Sequence, residues 1–325
     1  MADGFGKVLV TGGIGFIGRH LADALLGEGA DVSILDNAEG REPSPGARLL
    51  RGDVRNQDDV DRAVAGAELV FHVAGNASGT ISVLDPRLDF DTNAVGSFNV
   101  ADAAARAEVG RLVYISSASV YGTPVRFPMD EEHPTKPFVP YGASKLSGEL
   151  ASLSLFHATG LPVVSARPFC VYGPGEDRRH SLVEPGRYLR WHLNRRPIQI
   201  VGDPDRKTRD FVHVSDLVAS LLLLARAGVP GEIYNAGSGE EVSMRQLVEA
   251  IGEATHREPQ VETIPEIAED TYRLVADISK LKALGYEPKM PLRVGLAELA
   301  GELGENPEIP THQTIFRRGQ RAERS

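Results

Sequence analysis

The sequence is poor in cysteine and lacks long apolar runs. Cys170 is the single cysteine among 325 residues, so no internal disulfide can form, which favours a reducing compartment such as the cytoplasm. No apolar run reaches the roughly 18 residues that a membrane span needs. No charged-then-apolar leader is present either. We therefore expect a cytoplasmic protein that neither enters a membrane nor is secreted.

Excess positive charge and clustered metal ligands are also missing. The formal net charge is −10, and basic residues cluster only in FRRGQRAERS, within a segment (311–325) that we expect to be a flexible basic tail. Nucleic acid is therefore not an expected partner. The nine histidines are scattered, whereas a zinc site needs several His or Cys ligands at short spacing, so we expect no metal.

What the chain does contain is a regular alternation of apolar runs and amphipathic stretches. The predicted strands are KVLV (7–10), DVSIL (31–35), ELVFHV (68–73), RLVYI (111–115) and LPVVSA (161–166). The predicted helices between them span 16–27, 57–65, 92–108 and 142–158. Strands and helices that alternate at this spacing indicate βαβ units and a doubly wound parallel sheet, the α/β architecture of Rossmann folds.

The regular alternation of strands and helices ends at a segment dense in glycine and proline, YGPGEDRRH (172–180). We expect a nucleotide-binding domain over 1–170, to which 209–240 returns, and a smaller substrate-binding domain over 171–310. In the second half the patterns predict helices near 181–194, 214–227, 243–254 and 292–303, with strands at PIQIVGD and GEIYNAG.

The first strand runs into a glycine-rich loop that opens the first helix. VLVTGGIGFIGRH satisfies G-x-x-G-x-x-G through Gly12, Gly15 and Gly18. Such glycines let backbone N–H groups approach a pyrophosphate at the helix N-terminus. The next strand ends at Asp36, where a carboxylate can bind ribose hydroxyls but would repel a 2′-phosphate. Asn37 follows, and no arginine occurs until Arg41. The loop thus predicts a dinucleotide site that prefers NAD to NADP.

A second motif carries acid–base chemistry. YGASKLSGE places Tyr141 and Lys145 four residues apart, on one face of a predicted helix. A free phenol has a pKa near ~10, and we expect the Lys145 ammonium and a positive nicotinamide ring to lower it. ISSASVYG (115–122) ends a neighbouring strand in serines that can bond the same substrate oxygen.

These motifs resemble the extended short-chain dehydrogenases/reductases of the nucleotide-sugar epimerase and dehydratase type. Further segments that carry the resemblance are GDVRN (52–56), TNAVGSFNV (92–100), RPFCVYGPG (167–175), RKTRDFVHVSDLV (206–218) and YNAGSGEEVS (234–243). The resemblance runs from Lys7 to about Leu303. It implies Ser117, Tyr141 and Lys145 as catalytic residues, with Tyr141 as the general base. The NAD contacts that it implies are Gly12, Gly15, Phe16, Ile17, Gly18, Asp36, Asn37, Asp53, Val54, Val73, Ala74, Gly75, Asn93, Ser116, Tyr141, Lys145 and Pro168. For the nucleotide sugar it implies Ser82, Ser117, Tyr141, Cys170 and Arg209.

The two residues after Ser117 narrow the reaction. Dehydratases of this family follow the catalytic Thr with Asp-Glu, and the decarboxylases keep a Glu there, but this chain has Ala118 and Ser119. Neither can exchange the protons that those reactions need. The resemblance therefore implies a 4-epimerase, with UDP-glucose and UDP-galactose as the first choice of substrate. Family members are often homodimers, and the helices at 92–108 and 142–158 could supply the contact.

Other readings stay open at this point. Cys170 stands where many members have an Asn that contacts the diphosphate, and burial in the core is the simpler role for it. Thr80 stands where epimerases acting on UDP-glucuronate often carry an Arg, which argues against a uronate without excluding it or UDP-GlcNAc. A net NAD(P)-dependent oxidoreductase and a non-catalytic NAD-binding scaffold are the alternatives from other classes.

Overall fold

The computed structural model describes residues 4–77, 79–176, 183–265 and 272–309. Its strands are β1 (Lys7–Thr11), β2 (Asp31–Asp36), β3 (Arg48–Arg51), β4 (Leu69–His72), β5 (Arg111–Ile115), β6 (Val163–Pro168), β7 (Cys170–Tyr172), β8 (Ile198–Val201), β9 (Thr208–Arg209), β10 (Phe211–His213), β11 (Ile233–Ala236), β12 (Val242–Ser243), β13 (Val261–Ile264) and β14 (Arg273–Leu274). Its helices are α1 (Phe16–Gly27), α2 (Gln57–Val64), α3 (Gly79–Leu84), α4 (Pro86–Phe90), α5 (Gly96–Arg106), α6 (Pro140–Thr159), α7 (Glu184–Leu193), α8 (Val214–Ala227), α9 (Met244–Thr255), α10 (Ser279–Lys282) and α11 (Leu292–Leu303).

Seven of the strands described form one parallel sheet in the order β11-β6-β5-β4-β1-β2-β3. The doubly wound α/β fold is thus confirmed, and the five strands predicted in the first half all lie in this sheet. The strand order reverses between β1 and β4, which neighbour each other. In open α/β sheets the ligand crevice lies at such a switch point, beyond the carboxyl ends of the strands.

Helices cover both faces of the sheet and enclose two apolar cores. On one face, leucines of α1 and α8 such as Leu21 and Leu221 pack with β1 and β2. On the other, α2 and α5 bury residues such as Val60 and Val100 against β4 and β5. Because helices cover both faces of the sheet, its strands are apolar on both sides. The strands therefore appear in the sequence as short continuous runs of β-branched residues and leucine.

A third core holds the remaining elements together. It combines α7, α9 and α11 with β8 and β10, through residues such as Trp191, Ile198 and Leu247. Small sheets pair β10 with β7, β13 with β8, and β9 with both β12 and β14. These strands have two to four residues each, too short for a periodic signal in the sequence, and apart from β8 they were not predicted.

The predicted return of 209–240 to the first domain can be followed element by element. Helix α8 packs on α1, and β11 joins the edge of the large sheet beside β6. The strands β9 and β10 instead belong to the small sheets. The boundaries at 170 and 310 stay predictions, and the tail over 311–325 lies outside the described residues. No helix among the residues described is both long and apolar enough to cross a lipid bilayer.

Candidate active site

A cavity of about 300 Å³ lies at the switch point of the sheet. The predicted cofactor residues that line it are Gly12, Gly15, Phe16, Ile17, Gly18, Asp36, Asn37, Asp53, Val54, Val73, Ala74 and Gly75. Helix α1 begins here without a side-chain cap, so the N–H groups of its first turn stay available to an anion. A Cβ on Gly18 would lie 2.1 Å from the Gly12 carbonyl oxygen. Only glycine allows the helix to start so close to the loop.

Asp36 is held at the cavity wall by the backbone. One carboxylate oxygen accepts a hydrogen bond from the Ile14 N–H at 2.9 Å and the other accepts from the Ala38 N–H at 2.8 Å. Each oxygen keeps a further acceptor position, as contact with ribose hydroxyls requires. Arg41 also lines this part of the cavity, although it follows Asp36 by five residues.

Asp53 and Asn37 form a second polar group in the cavity wall. The Asn37 amide donates to Asp53 at 3.0 Å, and the Arg55 guanidinium donates to both oxygens of the same carboxylate. The Arg55 hydrogen bond is the main reason why the pKa of Asp53 is lowered to about 2. The Asp53 side chain is therefore ionised and already paired, which leaves the backbone of this segment for contact with a ligand.

Five predicted cofactor residues lie outside the cavity wall: Tyr141 and Lys145, which are described below, and Asn93, Ser116 and Pro168. Asn93 is buried in a π-helical turn, Asp91–Val95, where its side chain accepts from the Asn76 N–H at 2.8 Å and donates to the Asn76 carbonyl at 3.0 Å. Ser116 is buried after β5, and its hydroxyl has no hydrogen-bond partner among the described residues. Pro168 ends β6 beside it. An orphaned buried hydroxyl calls for a partner from outside the chain.

These features together fit a dinucleotide. The site offers a helix N-terminus for a pyrophosphate, a fixed carboxylate for a ribose, and an unpaired hydroxyl at the carboxyl end of β5.

The predicted catalytic residues meet where α6 crosses the end of β5. Ser117 caps a short 3₁₀ turn, Ala118–Val120, by accepting the Ser119 N–H at 3.1 Å. A Cβ on Gly142 would lie 2.4 Å from the Ser119 carbonyl oxygen, so glycine permits this close crossing. The Ser117 hydroxyl thus lies near enough to Tyr141 to lower the pKa of its phenol.

Burial dominates the electrostatics of the pair. It lowers the pKa of Lys145 to about 8, although the carboxylates of Glu149 and Asp89 oppose this. Burial also raises the pKa of Tyr141; the Ser117 hydrogen bond counters this rise and the Asp89 charge adds to it. We expected the Lys145 ammonium to lower the pKa of Tyr141. In the chain without a cofactor, burial outweighs the groups that lower this pKa, and the pKa of Tyr141 is raised. The Lys145 ammonium lies over the ring of Tyr114, 4.8 Å from its centroid.

His72 connects the glycine-rich loop to the π-helical turn. Its Nδ1 lies 2.7 Å from the Thr11 hydroxyl, and its Nε2 lies 2.9 Å from the Ser97 hydroxyl. Because Ser97 donates its own proton to the Asn93 carbonyl at 2.6 Å, His72 must donate through Nε2 and accept through Nδ1. His72 is completely buried.

The residues predicted for the substrate are spread over two places. Ser82 is fully buried in α3, where its hydroxyl donates to the Gly79 carbonyl at 2.7 Å. Cys170 is buried as expected, and burial raises the pKa of its thiol. Arg209 is buried nearby and donates to the Thr208 carbonyl at 2.8 Å. Its Nε also lies 3.5 Å from a carboxylate oxygen of Glu184.

Sequence reasoning missed two carboxylates. Glu184 at the start of α7 is buried, and the charges of Arg209, Arg187 and Lys207 keep its pKa low against burial. Asp89 is buried beside the catalytic helix. One signal could have found Asp89, because it precedes Asn93 by four residues, the spacing of one helical face.

Comparison with known proteins now places the chain. The model of the NAD dependent epimerase/dehydratase family matches residues 8–237. The chain therefore belongs to this family.

Individual relatives cover almost the whole chain. The UDP-glucose 4-epimerase of Mycolicibacterium smegmatis is 34% identical over 306 residues, 90% of this chain and 96% of its own. The crystal structure of UDP-glucose 4-epimerase from Thermus thermophilus in complex with NAD is similar with a TM-score of 0.83 and 32% identity, covering 91% of this chain and 98% of that one. The dTDP-glucose 4,6-dehydratase of Streptomyces niveus is 30% identical over 309 residues, 90% of this chain and 91% of its own.

The buried His72 gives a prediction that is independent of any ligand. Burial lowers the pKa of His72 to about 3, whereas histidine in an unfolded chain titrates near ~6.5. Long-range nitrogen–proton NMR should show a neutral ring protonated at Nε2 throughout about pH 5–8. An Nδ1-protonated ring, or a titration of His72 near neutral pH, would contradict the hydrogen-bond chain described above.

Proposed function

We propose that the chain is an NAD-dependent nucleotide-sugar 4-epimerase that interconverts UDP-glucose and UDP-galactose. The observation that carries this proposal is the meeting of Ser117, Tyr141 and Lys145 beside a dinucleotide cavity, with Ala118 and Ser119 following Ser117. Membership of the family and the similarity to UDP-glucose 4-epimerases support it.

The cavity at the switch point would hold the dinucleotide. The N–H groups at the start of α1, around Gly15 and Gly18, would bind its pyrophosphate, and Asp36 would bind its adenosine ribose. The unpaired hydroxyl of Ser116, at the carboxyl end of β5, would serve the nicotinamide end. When bound, NAD supplies a reversible hydride acceptor for the sugar C4 and a positive ring that favours the Tyr141 phenolate.

The side chains of the chain handle the proton of the 4-hydroxyl. Tyr141 takes this proton as C4 is oxidised to the ketone and returns it as C4 is reduced on the opposite face. The Ser117 oxygen accepts the Ser119 N–H, which leaves its own proton available to Tyr141 or to the sugar oxygen. Lys145, held over Tyr114, keeps a positive charge near the reacting groups while it is protonated.

The carboxylates near the site do not offer a route to dehydration or decarboxylation. Ala118 is buried and has no titratable group. Glu149 is engaged by Arg167 at 2.6 Å, and Asp89 accepts the Ser144 hydroxyl at 2.6 Å. With Glu149 in an ion pair and Asp89 hydrogen-bonded to Ser144, epimerisation needs only the groups present, while the other two reactions need a further acid or base.

Incubation of the purified protein with UDP-glucose, followed by NMR of the products, tests the proposal. Formation of UDP-galactose with bound NAD unchanged at the end is the expected result. A keto-sugar released with stoichiometric NADH would identify an oxidoreductase. Retained NAD without any turnover over a panel of UDP-, TDP-, GDP- and CDP-sugars would identify a binding protein.

Replacement of the base gives the sharpest test of the catalytic assignment. Tyr141→Phe removes the group that moves the proton and should lower turnover by about 10²–10⁴-fold, with the content of bound NAD unchanged. Tyr234→Phe is the control, because the Tyr234 hydroxyl accepts the Val229 N–H at 3.1 Å, away from the site. A loss of less than tenfold for Tyr141→Phe would rule out Tyr141 as the base.

We propose that Arg209 binds the diphosphate of the nucleotide sugar. It belongs to a group of charges around the buried Glu184, which also contains the buried Lys207 and the half-buried Arg187. Two cations close to Arg209 add to the attraction for a dianionic ligand. The carboxylate of Glu184 offsets part of that charge in the free protein.

Loss of Arg209 should weaken the nucleotide sugar without affecting bound NAD. A charge-assisted contact contributes about 1.5–3 kcal/mol, so Arg209→Ala should raise the Michaelis constant for UDP-glucose and the inhibition constant of UDP by about ten- to a hundredfold. Arg206→Ala is the matched control, because Arg206 is exposed and stacks on Tyr272. Equal UDP inhibition of wild type and Arg209→Ala would move the diphosphate away from this residue.

We also propose that the protein is a cytoplasmic homodimer. Support for the dimer comes from apolar side chains exposed on neighbouring helices, with Phe98 of α5 at 47% exposed and Leu150 of α6 at 57% exposed. Contact between two copies through α5 and α6 would cover them. The single cysteine supports the location.

Light scattering during size exclusion tests the dimer. The expected mass is twice the 35.0 kDa of the chain, and Phe98→Asp with Leu150→Asp should give monomers because each charge would be buried in the interface. Val229→Asp, at an exposed position after α8, should stay dimeric. A wild-type mass of one chain, or a dimer that persists in the double variant, would refute this interface.

A further inference from the structure

Asp89 is a fully buried carboxylate that hydrogen-bonds with three side chains, two amides and one hydroxyl. Its Oδ2 accepts the Ser144 hydroxyl at 2.6 Å, and its Oδ1 accepts the side-chain amides of Asn76 at 2.7 Å and Asn93 at 3.2 Å. An ionised carboxylate is an acceptor only, whereas a protonated one must donate as well. The negatively charged carboxylate can accept all three of these hydrogen bonds. Burial raises the pKa of Asp89, whereas the hydrogen bonds from Ser144 and Asn76 and the charge of Lys145 lower it.

The three partners come from three different segments of the site. Asn76 follows the cavity residues at the end of β4, Asn93 lies in the π-helical turn, and Ser144 immediately precedes Lys145 on α6. A Cβ built on Gly75 would lie 2.8 Å from Asn93 Oδ1 and 3.7 Å from Lys145 Nζ. A single carboxylate thus joins the cofactor side of the site to the catalytic helix.

Lys145 is surrounded by few groups that could stabilise its charge. His72 of β4 is neutral because its pKa is lowered to about 3. Tyr114 of β5 is neutral because burial raises its pKa. The carboxylates that act on Lys145 are Glu149, one turn further along α6, and Asp89 of α4.

These two carboxylates differ in their own partners. Glu149 forms a buried ion pair with Arg167, at 2.6 Å and 3.0 Å, so much of its charge is already balanced. Asp89 is held by Ser144 and two asparagine amides, and in the ranges described it forms no ion pair with an Arg or Lys side chain. Glu149 has the larger effect on the pKa of Lys145 and Asp89 adds to it, but among the described residues only the charge of Asp89 is not balanced by an arginine.

We propose that Asp89 is a positioning residue: its buried charge keeps Lys145 as an ammonium ion, and its hydrogen bonds hold the Asn76 loop and the π-helical turn against α6. The consequence for catalysis rests on the proposed function, because the charge of Lys145 matters there for the base Tyr141. The same negative charge also disfavours the Tyr141 phenolate, because it raises the pKa of Tyr141, whereas Ser117 lowers that pKa.

The negative charge of Asp89 determines the direction in which the pKa values of Lys145 and Tyr141 shift. A nearby carboxylate raises the pKa of an ammonium and raises the pKa of a phenol. Asp89→Asn keeps the size of the side chain and removes the charge, so the pKa values of Lys145 and Tyr141 should both fall, each by about one unit. In a plot of rate against pH, the acidic and the basic limb should both move to lower pH. A variant that merely destabilised the fold would lower the rate without this shift.

NMR titration of the protein measures this without relying on activity. The lysine Cε and tyrosine Cζ resonances of carbon-13-labelled protein are followed against pH, and Lys145→Met and Tyr141→Phe assign the two signals. Ser144→Ala removes a hydrogen bond but keeps the charge, so the pKa of Lys145 should hardly change. Asp91→Asn is the matched control, since Asp91 is paired with Arg87 on the surface at 2.7 Å.

An unchanged pKa of Lys145 in Asp89→Asn would overturn the proposal. Should that variant not fold, the carboxyl carbon of Asp89 in wild-type protein decides instead: an ionised group at neutral pH supports the proposal, and a protonated one refutes it. The proposed function is tested separately, because absence of epimerase activity in wild-type protein would leave the titration result standing.

Discussion

The site depends on how closely α6 can lie against the carboxyl edge of the sheet. A Cβ on Gly142 would come within 2.4 Å of the Ser119 carbonyl oxygen, and one on Gly148 within 2.4 Å of the Asn93 carbonyl oxygen. Contacts this short are forbidden to any residue with a side chain. Because both positions are glycine, the helix brings Tyr141 to Ser117 and presents the Lys145 carbonyl to the Tyr114 hydroxyl at 3.0 Å.

Burial that follows from this packing sets the protonation of the site. It favours the neutral form of each titratable group, so the pKa values of His72 and Lys145 fall while that of Tyr141 rises. For His72 the neutral ring is needed to link Thr11 with Ser97. For Tyr141 and Lys145 the charged forms are the useful ones, and the groups that favour them are a carboxylate for the lysine and a positive cofactor ring for the tyrosine.

The parts of the site that the sequence predicted are those encoded by local spacing. The glycines of the loop after β1, Asp36 at the end of β2, and the Tyr141–Lys145 pair each depend on one segment, and the structure places them at one edge of the sheet. The role of each in binding and catalysis stays a prediction that the variants above address.

What the sequence could not show are relations between distant segments. Glu184 meets Arg209 across 25 positions, and Asp89 meets Ser144 across 55. Strands as short as Thr208–Arg209 exist only through their pairing. The sign of the Tyr141 pKa shift depends on the depth of burial, which no local pattern gives.

The central claim is that the hydrogen removed from C4 returns to the same carbon. UDP-glucose that carries deuterium at C4 is converted in ordinary water, and the product is examined by NMR and mass spectrometry. Return of the hydride to C4 would give UDP-galactose that retains the deuterium at C4. Loss of the label to solvent, or its appearance at another carbon, would contradict it.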